Sequence, residues 1–225
     1  MNKGKIFLIS LALLCVLLIY AAYAFDLPKL FYFNKEDALK EWQEKIFKDK
    51  VMYTVELKGQ VGELLAQSNK ACSGLIYKLY LEPKNFPWIS WNWKISKFPD
   101  KGPSSPTQPG WVEKDDYAAR VYVIFSSWNF LSMQSLEYIW DESLPVETIK
   151  SSPFSKNIKL IVAESGKNQQ GKWMTEERKI YEDYQKAFGR PPTRAVIAIA
   201  LMTDSDNTLS TAEAVYTNIK VGYNK

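Results

Sequence analysis

The sequence predicts an all-β protein, a sandwich or barrel of short strands with one or two short helices. Segments in which apolar and polar residues alternate recur along the chain, and turn residues separate them. Aromatic residues make up 14% of the sequence, with 8 Trp and 13 Tyr, and aromatic residues are enriched in strands. The length allows one large domain with a substantial core, and we expect this domain to occupy residues 25–225.

Ten segments are predicted as strands. The clearest is 51–57, where apolar residues occupy every second position, which is typical of a half-buried strand. A loop is predicted at 97–110, because this stretch contains Pro99, Pro103, Pro106 and Pro109. The other predicted strands are residues 30–33, 63–67, 73–81, 88–95, 117–125, 136–140, 158–163, 195–202 and 214–221.

Two helices are predicted between these strands. The first covers residues 35–47, where apolar residues recur at every fourth position. The second covers 176–188, where Ile180, Tyr184 and Phe188 have the same spacing and are expected to dock on a sheet, with Phe188 buried.

Residues at both ends of the second predicted helix indicate where it begins and where it ends. Thr175 is expected to cap its start, and Gly189 follows its last residue. Two prolines at 191–192 prevent the helix from continuing.

The first 24 residues have the pattern of an export signal. Lys3 and Lys5 precede an apolar run at 6–20, and residues 22–24 have the small-X-small pattern that signal peptidase accepts. The run of about 15 residues is short for a membrane-spanning helix, which needs ~20. We therefore expect cleavage after Ala24 and a periplasmic or secreted protein without a stable membrane span. The alternative is an uncleaved N-terminal anchor.

The composition excludes several classes of function. The chain has no histidine, which removes Ser-His-Asp and Cys-His catalysis and the commonest zinc ligand. The mature chain keeps one cysteine, Cys72, and cannot form an internal disulfide. We expect Cys72 to be a small buried apolar residue. Without the two lysines of the signal, 27 of the 29 basic residues remain against 25 acidic ones, and this balance argues against nucleic acid as the partner.

Asp116 and Arg120 lie four residues apart at the start of a predicted strand, and an extended chain would place them on one face. We expect them to form an ion pair that anchors the strand. A ligand-binding edge is the alternative, and a general acid/base pair is a third. Because a neighbouring arginine lowers the pKa of a carboxyl group, the arrangement suits binding better than proton donation.

The segment 203–208 follows a predicted strand and alternates oxygen-bearing side chains. Asp204, Asp206 and Asn207 could surround a calcium ion, which takes six to eight oxygen ligands. The segment lacks the glycine and the distal glutamate of an EF-hand loop. Asp and Asn also build turns through local hydrogen bonds. The prediction is therefore either a turn without any cofactor or a site for one structural calcium ion.

The tryptophans divide into two groups. Trp91 and Trp93 share one strand parity and are expected to fill the core. Trp111 and Trp128 lie in loops and are candidates for a surface on which a sugar ring stacks. Two carboxylate pairs, Glu137 with Asp141 and Asp116 with Glu164, could in principle serve glycoside hydrolysis, but their spacing does not favour it.

Several segments together resemble a bacterial family known as domain of unknown function 3047. They are SGL at 73–75, PWISWNW at 87–93, DDYAAR at 115–120, YIW at 138–140, the stretch 183–189 and DSDNT at 204–208. The resemblance covers nearly the whole mature chain. It implies an exported protein with a jelly-roll sandwich of the galactose-binding type, a fold that hosts carbohydrate recognition and often a structural calcium. It implies no activity.

The sequence thus favours a non-catalytic binding module for a glycan or a cell-envelope polymer. Asp116, Arg120, Trp111 and Trp128 are the candidate ligand-binding residues. A structural or assembly factor that binds another envelope protein is the first alternative. A hydrolase that uses carboxylates is the second.

Overall fold

The computed structural model describes residues 28–58, 61–102, 115–129 and 132–225, and within these ranges it contains thirteen strands and one α-helix. The strands are β1 (Lys29–Phe31), β2 (Trp42–Lys48), β3 (Met52–Lys58), β4 (Val61–Asn69), β5 (Cys72–Leu81), β6 (Trp88–Lys97), β7 (Arg120–Phe125), β8 (Gln134–Asp141), β9 (Ile149–Ser151), β10 (Ile158–Ser165), β11 (Met174–Lys179), β12 (Val196–Asp204) and β13 (Thr211–Tyr223). The helix is α1 (Ile180–Phe188).

The strands form two sheets that pack face to face. One has the order β11-β6-β13-β4-β3, with β1 added beside the end of β13. The other has seven strands in the order β2-β5-β12-β7-β8-β10-β9. Strands β8 and β10 run parallel, whereas the other neighbouring strands of the described residues pair in antiparallel orientation. The predicted all-β jelly-roll sandwich is confirmed. No helix of the described segments is long and apolar enough to cross a bilayer.

Large aromatic side chains fill the space between the sheets. Trp91 and Trp93 are fully buried, as predicted, and lie on the inner face of β6. Trp91 packs against Tyr138 with ring centroids 5.1 Å apart, and Trp93 packs against Trp140 at 5.9 Å. These contacts join β6 of one sheet to β8 of the other. A smaller apolar cluster, which includes Ile139, covers the outer face of the seven-stranded sheet.

The first predicted helix is wrong. Residues 36–41 form turns, and Trp42–Lys48 is β2, an edge strand that pairs with β5. Trp42 is buried against Phe31 and Tyr77, with ring centroids 5.0 and 5.4 Å away, while Ile46 is exposed. The helical spacing of apolar residues was therefore fortuitous, because only Trp42 is fully buried, while Ala38 packs at the edge of the core and Ile46 is exposed. Strand pairing with β5 decides the local structure.

The second predicted helix begins later than expected. Its first four residues belong to β11, which pairs with β6, and Thr175 lies inside that strand instead of capping the helix. The helix begins at Ile180, whose N–H donates to the Pro87 carbonyl over 2.7 Å. Gly189 ends it in a left-handed conformation at φ 69°, as predicted.

The docking of this helix is partly as predicted. Ile180 and Tyr184 are buried, whereas Phe188 is only half-buried. The ring of Phe188 lies on Tyr184, with centroids 4.5 Å apart. The prediction that Phe188 is buried is wrong, because this residue, the last of the helix, is only partly covered by the core.

Candidate functional site

Arg120 is the centre of a polar network on the outer face of the seven-stranded sheet. It is the first residue of β7, and Val121 beside it points into the core. Its Nε donates to Asp204 Oδ1 over 2.9 Å, and its Nη1 donates to Glu137 Oε1 over 2.6 Å. Its Nη2 donates to Asp204 Oδ2 and to the carbonyl of Asp115. One guanidinium thus links β7, β8, β12 and the segment before β7.

The predicted pairing of Asp116 with Arg120 is wrong. The Asp116 carboxylate accepts the backbone N–H of Thr208 over 2.6 Å and that of Asn207 over 3.2 Å. The side-chain amide of Asn207 donates to it as well, over 3.3 Å. The prediction assumed an extended chain from Asp116, but the strand begins only at Arg120, so the two side chains do not share a face.

Burial dominates the electrostatics of this network. Arg120 is 4% exposed, and its carboxylate partners Asp204 and Glu137 are at least as buried. Burial raises the pKa of Asp204, of Glu137 and of Asp115, while the positive charge of Arg120 opposes that rise. Asp116 is fully buried too. Asp116 and Arg120, which were predicted to bind a ligand, thus expose almost no surface.

Two of the three residues predicted to bind calcium, Asp204 and Asn207, are engaged with other groups of the chain. Asp204 already accepts hydrogen bonds from Arg120, whose positive charge would repel a metal ion, and its Oδ1 also accepts the N–H of Tyr117. The backbone N–H and the side-chain amide nitrogen of Asn207 both donate to Asp116 Oδ1. Asp206 Oδ2 lies 4.0 Å from Lys48 Nζ. The segment forms a hydrogen-bonded turn.

Cys72 is near this turn, and its sulfur and one carboxylate oxygen each of Asp204 and Asp206 lie within 4.8 Å of one another. Burial raises the pKa of the Cys72 thiol, so the thiol stays protonated at neutral pH. A protonated thiol is a poor metal ligand, because the thiolate is the form that binds. The Cys72 thiol is therefore a poor additional ligand for a cation at this turn.

Trp128 lies at the other end of the same sheet. It follows β7, which runs for six residues and so separates its ends by ~17 Å. Its side chain is 87% exposed, and the Arg194 guanidinium lies 4.2 Å from the ring centroid. We call Trp128 and Arg194 the Trp128 platform. The predicted set of ligand-binding residues is thus divided between two ends of the sheet, and Trp111 lies outside the described residues.

Neither carboxylate pair weighed for glycoside hydrolysis has the arrangement of a glycosidase. Glu137 and Asp141 lie on one face of β8, four residues apart, which corresponds to ~13 Å. The two carboxyl groups of a glycosidase are about 5 to 9.5 Å apart. Glu137 is bonded to Arg120, and Asp141 accepts the N–H groups of Ser143 and Leu144. In the pair of Asp116 and Glu164, the carboxylate oxygens of Asp116 accept the backbone N–H groups of Asn207 and Thr208.

The partners of some residues in these sites gave no signal in the sequence. Glu137 and Asp204 are 17 and 84 positions from Arg120, and only strand pairing brings them together. Arg194 is 66 residues beyond Trp128 in the sequence, in the loop before β12. The DDYAAR and DSDNT motifs pointed to the correct segments, but not to the correct partners.

The structure defines the class of this protein as a two-sheet β-sandwich with a buried ionic network at one end and an exposed aromatic platform at the other. A family model described as "Protein of unknown function (DUF3047)" matches residues 40–220. The chain belongs to this family. The sequence has no match among curated proteins.

Solved structures with a similar fold include carbohydrate-binding modules. The family 11 module of a cellulosomal cellulase of Clostridium thermocellum is 11% identical, with a TM-score of 0.43, and the match covers 82% of this chain and 88% of that one. The module TmCBM27, described as recognising mannan, is 7% identical, with a TM-score of 0.39 and coverage of 88% and 96%. The xyloglucanase domain of NopAA from Sinorhizobium fredii is 10% identical, with a TM-score of 0.46 and coverage of 79% and 89%. These identities are too low to indicate more than a shared type of fold.

Proposed function

We propose that this protein is an exported, non-catalytic module that binds a glycan or a cell-envelope polymer through the Trp128 platform. The observation that carries the proposal is the exposure of Trp128, the most exposed of the described large apolar side chains. Leaving an indole ring in water is unfavourable, and covering it with the apolar face of a sugar ring recovers that free energy. The polar groups of neighbouring side chains then orient the sugar hydroxyls.

The chemistry of the chain supports binding without catalysis. There is no histidine to act as a general base at neutral pH. The carboxylates considered for hydrolysis hold the fold together through Arg120 and through turns. Trp128, by contrast, belongs to a loop, the type of segment that carries most binding residues.

Export is part of the proposal and has its own test. The N-terminal signal lies outside the described residues, and its residue pattern is the support for export. We expect the mature protein to begin at Phe25. Intact-mass measurement of protein recovered from the periplasm or the medium would detect this start. A mass that retains Met1–Ala24 would instead show the uncleaved anchor.

Binding is tested by affinity electrophoresis in gels that contain neutral or acidic polysaccharides. We expect retardation in at least one gel and loss of retardation for Trp128→Ala. Trp173→Ala is the matched control, because Trp173 is also exposed and also carries a cation, Lys94 Nζ, 4.8 Å from its ring centroid. Equal mobility in all gels, or the same loss for both variants, would contradict the proposal.

A second candidate is a structural factor that binds another protein. Strand β2 is an edge strand of one sheet and β3 an edge strand of the other. Phe47 on β2 and Met52 on β3 are each more than half exposed. Exposed apolar side chains on unpaired strand edges favour pairing with another chain. Concentration-dependent cross-linking that Phe47→Asp abolishes, without any glycan retardation, would support this candidate.

A further inference from the structure

We propose that the ligand of the Trp128 platform is an acidic polysaccharide, and that Arg194 and Arg190 bind the carboxylate of a uronic acid. This inference rests on the proposed function and adds the chemical class of the ligand. The inference rests on the positive charges around the Trp128 platform, which would find no oppositely charged partner in a neutral glycan.

The chain has four arginines, and they fall into two pairs. Arg120 and Arg178 are held by carboxylates, the first as described above and the second through Asp183, with 2.9 Å between Nε and Oδ2. For Arg190 and Arg194, the parts of the chain that the structure describes supply no ion-pair partner. Arg190 donates instead to a neutral oxygen, Gln134 Oε1, over 2.8 Å.

Both of these arginines belong to the same end of the sandwich as Trp128. The N–H of Ser126 donates to the carbonyl of Ala195 over 2.9 Å, which ties the loop of Trp128 to the loop of Arg194. Gln134, the partner of Arg190, is the register partner of Phe125, three residues before Trp128. Two guanidinium groups without carboxylate partners therefore flank the loop that carries the exposed indole ring.

The geometry of a guanidinium suits a carboxylate. Its planar set of N–H donors binds both carboxylate oxygens at once, and such charge-assisted hydrogen bonds are stronger than those to neutral hydroxyls. A uronic acid combines this carboxylate with a ring whose apolar face can stack on an indole. Because Trp128 stays 87% exposed even with Arg194 over it, most of its surface is available to such a ring.

The test measures binding of the whole mature chain by calorimetry to polygalacturonate, alginate and hyaluronan, each beside its carboxyl-reduced form. Carboxyl reduction keeps the polymer and removes its charge. We expect at least one acidic polymer to bind and its reduced form to bind about tenfold more weakly, as expected when a charge-assisted contact is lost. Added salt should weaken the binding as well.

Variants locate the effect at the platform. Arg194→Gln should lower the affinity about as much as carboxyl reduction does, and Arg190→Gln should lower it several-fold. Arg194→Lys keeps the charge without the planar donors and should give an intermediate loss, which also guards against a folding defect in the glutamine variant. Lys94→Gln is the matched control, since Lys94 lies over Trp173, and should bind normally.

Each other outcome overturns the inference in a distinguishable way. Binding to the reduced polymers alone would leave the proposed function standing and remove the acidic ligand. An equal loss for Lys94→Gln would show a general charge effect. Binding to DNA or to anionic vesicles, with no polysaccharide bound, would replace the ligand class. If no polymer binds, the proposed function and this inference are both overturned.

Discussion

Arg120 Nε and Asp204 Oδ1 lie 2.9 Å apart, and this contact joins the first residue of β7 to the last residue of β12. The two strands are neighbours in the seven-stranded sheet. Asp204 Oδ1 also accepts the N–H of Tyr117 over 2.9 Å, so the segment entering β7 is fixed to the same carboxylate. The pair therefore positions a strand end, a loop and a turn at once.

Removal of Arg120 should be strongly destabilising. Arg120→Met would leave the buried carboxylates of Asp204 and Glu137 without their positive partner, and breaking such a buried pair costs about 3–5 kcal/mol. Urea unfolding measures the loss. Arg190→Met is the control, because Arg190 is exposed and should change stability by at most ~0.5 kcal/mol. Similar losses for both variants would mean that the network does not stabilise the fold.

The turn at 205–208 should depend on Asp116. Asp116→Ala removes the acceptor for the N–H groups of Asn207 and Thr208, and each buried group that is left unsatisfied costs about 1–3 kcal/mol. Asp116→Asn keeps one acceptor oxygen and should lose less. Thermal unfolding compares these variants with Asp37→Ala, an exposed aspartate. If Asp37→Ala lowers the melting temperature as much as Asp116→Ala does, the turn does not depend on this carboxylate.

Most of the strands could be predicted because their own residues carry the alternating pattern. Alternation of apolar and polar residues located β3 and β6, and the burial of Trp91 and Trp93 followed from their parity. Strand β2 could not be predicted in this way, since its residues are nearly all exposed and its structure comes from pairing with β5. Strand β11 could not be predicted for the same reason, because its structure comes from pairing with β6.

The candidate sites were harder to predict for a related reason. Spacing within one segment suggested that Asp116 pairs with Arg120, but the true partner, Asp204, comes from a strand 84 residues away. A single sequence contains no direct signal for such a pairing. The exposure of Trp128 could not be predicted either, because a tryptophan in a loop could equally have closed the end of the sandwich.

Calcium should not affect stability. The positive charge that a calcium ion would bring to Asp204 is already supplied by Arg120, and the amide of Asn207 points to Asp116. An ion that binds only the folded state raises the melting temperature by mass action. We therefore expect the same melting temperature with a chelator and with millimolar calcium. A decrease with chelator that calcium reverses would restore the predicted calcium site.

Stability should vary with pH through Glu176 on β11. Burial and then the neighbouring Glu164 raise the pKa of Glu176 to about 7, although its Oε1 accepts the N–H of Trp93 over 3.2 Å. In the unfolded chain a glutamate has a pKa of about 4.3. Between these values the folded state holds a proton that the unfolded state has lost. Its contribution to stability is thus complete below about pH 4.3 and is lost as the pH rises through 7.

Glu176→Gln removes this dependence, because the amide keeps an oxygen for Trp93 and does not titrate. At pH 8 we expect the variant to be more stable than the parent by about 1–3 kcal/mol, and near pH 4 the two should be equal. Glu177→Gln is the control with the opposite sign: Lys225 lowers the pKa of Glu177, so this variant should lose stability at high pH. Urea unfolding from pH 4 to 8 measures both, and parallel curves for the parent and Glu176→Gln would show that Glu176 does not titrate in this range.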